Sequence, residues 1–91
     1  MVRYDFIDWD DPDDPKGNDH NIAENGVTVA EFMEILESRQ AGSGISRTSG
    51  RPTRYGWTST GKHIVITYVI EDDGGFVIVR PVTAFETEPP A

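Results

Sequence analysis

Lys62 to Glu71 reads K-H-I-V-I-T-Y-V-I-E and is the most apolar run in the chain. Ile64, Ile66, Tyr68 and Ile70 fall on one side at period two, and His63, Val65, Thr67 and Val69 fall on the other. A strand that is apolar on one side and half-polar on the other suits a sheet covered on one face and open on the other. Ile64 to Ile70 is too short to span a bilayer. Thr60-Gly61 before the run and Asp72-Asp73-Gly74-Gly75 after it supply residues that tolerate the backbone of tight hairpins. With Thr53 to Ser59 on one side and Phe76 to Phe85 on the other, the pattern predicts a three-stranded antiparallel meander centred on Lys62–Glu71.

Two helices precede this sheet. Thr28-Val29-Ala30-Glu31 has the spacing of a capping box, and Val27 and Phe32 occupy the positions of a hydrophobic staple. Val29, Phe32, Met33 and Leu36 form one stripe, widened by Ile35, and that face is expected on the sheet. An earlier helix is expected from Pro15 to Glu24, with Asp14 as N-cap and Asn25-Gly26 as the stop. Val2 to Ile7 alternates like a short edge strand, and Asp8 to Asp14 is an acidic loop. Ala41 to Pro52 is a Gly/Ser/Arg loop in which Ile45 and Ser46 are candidates for a brief strand contact. Thr87 to Ala91 is expected to fray. The fold class is α+β: two N-terminal helices on one face of a three- to four-stranded antiparallel meander sheet. It forms a single domain over residues 1–91 with its core at about 2–86.

The chain has no cysteine, which removes disulfides, thiolate metal sites and thiol nucleophiles. Its opening, M-V-R-Y-D-F, lacks the apolar core of a signal peptide, so a soluble, cytoplasmic protein is expected, without membrane contact. The net charge of −8 is unevenly spread: residues 1–40 carry eleven acids and three bases, whereas 41–91 carry five of each. No acid lies between Ser38 and Ile70, while Arg39, Arg47, Arg51, Arg54 and Lys62 do. A basic segment inside an acidic chain suggests a polyanion-binding surface, and the plainer alternative is an ordinary solvated one.

The acidic loop does not match a calcium loop, because the mid-loop glycine and terminal glutamate are out of place. No nucleophile elbow, phosphate-binding loop or dinucleotide fingerprint is present, and no metal or cofactor is implied. The sheet offers more. If Tyr55, Trp57, Val77 and Val79 join Ile64, Ile66, Tyr68 and Ile70 beneath the helices, then Arg54, Thr58, His63, Thr67 and Arg80 share the open face. Arginines hold a phosphate and stabilise charge developing on it, and an imidazole moves protons near neutral pH. A 2′-hydroxyl so activated attacks its own phosphate without a metal. Arg47, Arg51 and Lys62 would guide RNA. In the alternative, Arg54 and Arg80 are edge residues paired with carboxylates and His63 is simply exposed. Register decides, since a slip of one residue reverses the faces.

The order of segments resembles the BrnT family, ribonuclease toxins of bacterial type II toxin–antitoxin modules. Phe6-Ile7-Asp8-Trp9-Asp10 is similar to that family's F-x-W-D, and Asn21-Ile22-Ala23-Glu24-Asn25-Gly26-Val27-Thr28 to its N-x-x-K-H-G-V-S. Arg54-Tyr55-Gly56 resembles its R-Y strand start, and Ile78 to Glu86 its last strand, I-S-A-R-x-A-x-x-x-E. The resemblance implies a RelE-like fold, a metal-independent endoribonuclease that inhibits translation, and a cognate ribbon-helix-helix antitoxin. Arg54 and Arg80 match arginines the family places on its sheet, and Glu86 matches the acid after the last strand. In this chain Glu24-Asn25 replaces the family's Lys-His, and Phe85-Glu86-Thr87-Glu88-Pro89-Pro90 replaces a basic C-terminal run. The other function consistent with these differences is a non-enzymatic protein-interaction module of the same fold, binding a basic partner through its acidic N-terminal half.

Overall fold

The computed structural model describes residues 3–88. Its elements are β1 (Phe6–Ile7), α1 (Asn18–Glu24), α2 (Val29–Glu37), β2 (Gly42–Ile45), β3 (Pro52–Trp57), β4 (His63–Asp73) and β5 (Phe76–Glu86). The strands form one sheet in the order β1-β5-β4-β3-β2. β2 to β5 are an antiparallel meander, and β1 lies parallel to β5, so the sheet is mixed and has five strands rather than three or four. The expected contact near Ile45 is thus a full edge strand. The expected N-terminal strand is a two-residue pairing, and Val2 lies outside the described residues, as do Pro89 to Ala91 of the expected tail.

The helices pack on one face, α1 against β5 and α2 against β3 and β4. The core between the layers is Ile22, Val27, Phe32, Ile35, Leu36, Ile64, Ile66, Tyr68, Val79 and Ala84. Burying such aliphatic and aromatic side chains contributes roughly 1.5–3 kcal/mol each, the main force holding the layers together. Trp9 completes one side, its ring edge-on to Phe32 at 5.2 Å. Ile64, Ile66 and Tyr68 face inward as their periodicity predicts. Ile70 lies beyond the helices and is half exposed.

The capping box of α2 is complete. Glu31 N donates to Thr28 Oγ1 at 3.1 Å, and Thr28 N donates to Glu31 Oε1 at 3.0 Å. Val29 turns outward, leaving Phe32, Ile35 and Leu36 as the buried stripe. α1 starts later than Pro15. Asp14 closes a turn instead, accepting from Lys16 N and Gly17 N, and the helix begins after Gly17. Its anchor is the buried Asn18. Asn18 Nδ2 donates to the carbonyls of Asp8 and Pro81, and Oδ1 accepts from Asp10 N, which ties the acidic loop to β5. Asn25-Gly26 ends α1 as expected, with Gly26 at φ 79°.

The register overturns the expected facing. β3 pairs with β4 as Arg54↔Ile66, Tyr55↔Val65 and Trp57↔His63. Arg54 therefore lies beneath the helices, and Tyr55 and Trp57 lie on the open face, the reverse of the expectation. The cause is the connection. Thr58 N donates to Lys62 O at 2.8 Å, closing a three-residue loop of Ser59, Thr60 and Gly61 with Gly61 at φ 87°. Pairing 58 with 62 pairs even with even and odd with odd, so Arg54 takes the side of Ile66.

On the other side of β4, Asp73 pairs with Phe76 across Gly74-Gly75, both at positive φ. Val79 and Arg80 then fall inside and outside as expected. A bulge between Thr67 and Tyr68 leaves Val82 unpaired, which lets Val79, Pro81 and Ala84 all turn inward. Pro81 is tolerated there because β1 pairs only with Ile78 and Val79, so no neighbouring strand needs its missing N–H.

Candidate functional site

The two arginines expected together leave the sheet on opposite sides. Arg54 is buried and reaches the C-terminal end of α2. Its Nε donates to Ile35 O at 3.2 Å, Nη2 donates to Ser38 O, and Nη1 meets Ser43 Oγ at 3.4 Å. Helix C-termini expose carbonyls without intrahelical donors and carry partial negative charge, and a guanidinium satisfies both. Among the described residues Arg54 has no carboxylate partner. Its place is a helix cap, not an open phosphate site.

Arg80 does lie on the open side, opposite Val69. It is bound by Asp8 Oδ2 at 2.8 Å and Asp10 Oδ1 at 3.3 Å. The hydrogen bond to Asp8 and the charge of Asp10 raise its pKa further, so it stays protonated. Lys62, expected to guide RNA, donates to Gly26 O at 2.7 Å and to Glu31 Oε1 at 3.2 Å. Glu31 is itself buried, and its carboxyl is held down to about 2, chiefly by Thr60 Oγ1, then by the Thr28 amide and Lys62, against the opposing effect of burial. Thr28, Glu31, Thr60 and Lys62 thus pin the β3–β4 loop to the start of α2. Thr58 is buried in that loop, its Oγ1 accepting from Lys62 N.

His63 is on the open face but buried, not exposed, with its ring 5.3 Å from Trp57 and 6.3 Å from Tyr55. Its Nδ1 has no hydrogen-bond partner among the described residues. It lines a hollow of about 540 Å³ with Trp57, Gly61, Glu86, Thr87 and Glu88. Arg47 and Arg51 are exposed on the β2–β3 loop. Arg51 and Arg80 share a second cleft of about 410 Å³ with Lys16, Asn18, Asn21 and Asp10. The structure thus separates Arg54 from Arg80 and His63, but brings Arg51 to Arg80 and Glu86 to His63. Among the described residues no group of three or more histidines and acids is placed to hold a metal ion.

The register assembles the open face row by row. Trp57 stands beside His63, Tyr55 beside Val65 and Phe85, Thr53 beside Thr67 and Thr83, and Val69 beside Arg80. Sequence reasoning placed Tyr55 and Trp57 in the core and missed this aromatic surface. The signal that locates it is the three-residue spacing between Thr58 and Lys62.

The protein is thus a two-layer α+β protein with one sheet face covered and one bare. Sequence comparison finds no matching family model and no matching curated protein. Among the described residues no helix is long and apolar enough to cross a membrane.

Proposed function

We propose that this protein is a non-enzymatic interaction module, on a framework similar to that of the RelE- and BrnT-like toxins, that binds a basic partner through its acidic N-terminal half. The observation that carries this reading is the opposite facing of Arg54 and Arg80, each already held by groups of its own. A nuclease relying on that pair would have no free guanidiniums to bind the phosphate. Asp11, Asp13 and Asp14 are exposed, and none forms an ion pair among the described residues. They leave a negative surface whose natural complement is cationic. A ribbon-helix-helix antitoxin, the partner implied by the BrnT resemblance, is a DNA-binding protein and of the required sign.

One observation favours a second reading, a metal-independent endoribonuclease of a BrnT-like toxin–antitoxin module that inhibits translation. Lys16, Arg51 and Arg80 line one cleft, a smaller cationic group than the sheet-wide site first expected. Expression of the protein alone in a bacterium separates the two. The interaction module leaves growth and RNA intact, and the purified protein binds a basic protein with an affinity that falls as salt rises and on replacing Asp11, Asp13 and Asp14 by asparagine. Growth arrest with RNA cleavage, both lost in Arg80→Ala, would establish the nuclease instead.

A further inference from the structure

Five large apolar side chains stand out on the bare face: Phe6, Tyr55, Trp57, Phe76 and Phe85, each 40–60 % exposed. Register puts them on one side. Tyr55 and Phe85 flank Val65, Trp57 flanks His63, and Phe6 lies beside Ile78, which pairs with Glu71 two residues from Val69. The Phe6 and Phe76 rings are 5.6 Å apart. Tyr55, Trp57 and Phe85 cluster around Val65 at one end of the face, and Phe6 and Phe76 pair at the other, with Thr53, Thr67, Thr83 and Arg80 between the two groups. An exposed aromatic patch like the larger group marks an interaction site.

Its electrostatics name the occupant. Arg80, the cation on the face itself, is neutralised by Asp8 and Asp10, while Glu71 and Asp73 share the face beside Ile78 and Phe76, and Glu86 and Glu88 line the hollow at the Trp57 end. At the Trp57 end, the hollow is lined by Trp57, His63, Glu86 and Glu88, which sets an aromatic ring beside acidic residues. An indole with carboxylates recognises an ammonium or guanidinium group. A second copy of this chain brings a net charge of −8 to the same surface, and RNA brings phosphates; both are repelled. The eleven residues of β4 extend ~36 Å, room for an α-helix of about twenty residues lying along the sheet.

We infer that the bare sheet face docks an amphipathic, basic helix of a partner protein, anchored by one cationic side chain in the hollow lined by Trp57, His63, Glu86 and Glu88. This rests on the basic-partner reading and assigns it a surface and a partner shape. The helix lays an aliphatic stripe on Tyr55, Val65 and Phe85 and directs its cations to the acidic border.

The test is a titration of the isotope-labelled full chain, followed by NMR and Trp57 fluorescence. The probe is a synthetic helical peptide of about twenty residues with a leucine stripe flanked by lysine and arginine. Its controls are the same composition scrambled, a glutamate-for-lysine version, and oligouridine. The inference expects saturable shifts on the open-face residues of β3, β4 and β5, and at least tenfold weaker binding of the scrambled and glutamate peptides. Trp57→Ser and the exposed pair Glu86→Gln/Glu88→Gln each weaken binding at least tenfold with an unchanged melting curve; should the first variant fold poorly, the second decides. Shifts confined to the Asp11–Asp14 loop overturn the inference and leave the basic-partner reading standing. Absence of binding overturns both. Equal binding of the scrambled peptide, saturable oligouridine binding on this face, or self-association that buries Trp57 each overturns the docking helix.

Discussion

Arg54 caps the helix that contains Ile35: its Nε donates to the Ile35 carbonyl at 3.2 Å, across the interface between β3 and α2. The same guanidinium reaches Ser38 O one turn further on, so one side chain binds the helix end to the sheet. Arg54→Ala takes the guanidinium from the Ser38 carbonyl, leaves the Ile35 carbonyl with the Ser38 amide alone, and opens a hole beside the core. A cost of about 2–4 kcal/mol is expected, read from denaturant unfolding. Arg54→Lys, which keeps the charge but loses the fork, should recover only part of it. A variant that unfolds like the wild type would show that the cap contributes nothing.

The Asp8–Arg80–Asp10 cluster is a different case. Its members are 27–52 % exposed, so screening limits its value, and Arg80→Ala should cost less than ~1 kcal/mol. The contrast with Arg54→Ala is the measurable point. The two arginines look equivalent in the sequence, and their unfolding midpoints should differ clearly. Equal losses would mean that Arg80 is more deeply integrated than its contacts indicate.

Glu31 makes stability depend on pH. Its carboxyl titrates at about 2 in the folded chain against an ordinary value of 4.5, so the folded state favours the charged form. The sign follows directly. The stabilisation is fully present above pH 4.5 and is lost as pH falls through about 2, where the carboxylate takes up a proton. Glu31→Gln should remove that dependence and lower stability at neutral pH by roughly 1–3 kcal/mol, because its partners Thr28 N, Thr60 and Lys62 lose a charged acceptor. Matching acid-unfolding curves for wild type and Glu31→Gln between pH 5 and 2 would contradict it.

Gly42 explains how the edge strand fits. A Cβ at this position would lie 2.2 Å from the Tyr55 ring, which covers the glycine from the paired strand. Gly42→Ala should therefore push the ring aside or detach β2. The cost should be about 1–3 kcal/mol, with faster amide exchange at residues 42–45 than elsewhere in the sheet. Adding Tyr55→Ala should reverse part of the loss. No rescue would place the strain elsewhere.

Local chemistry alone determined a good share of this protein. The two-residue period of Ile64, Ile66 and Tyr68 named the central strand and its buried side. Thr28 and Glu31, three residues apart, named the start of α2, and Asn25-Gly26 the end of α1, because caps and turns depend on neighbours in sequence. Asn18 stayed hidden: it is an unremarkable polar residue until Asp8, Asp10 and Pro81 are brought around it.

Tertiary structure alone decided which side chains share a surface. Arg54 carries the same charge on either face, and only the Thr58–Lys62 closure, by fixing the pairing parity of β3 with β4, sends it to the helix end and brings Trp57 out beside His63. The acidic N-terminal half likewise gained its relation to Arg80 only when β1 aligned with β5, seventy residues away in sequence. Composition names the charges, but pairing between strands distant in sequence determines which of them meet, since each one-residue shift exchanges the two faces of the sheet.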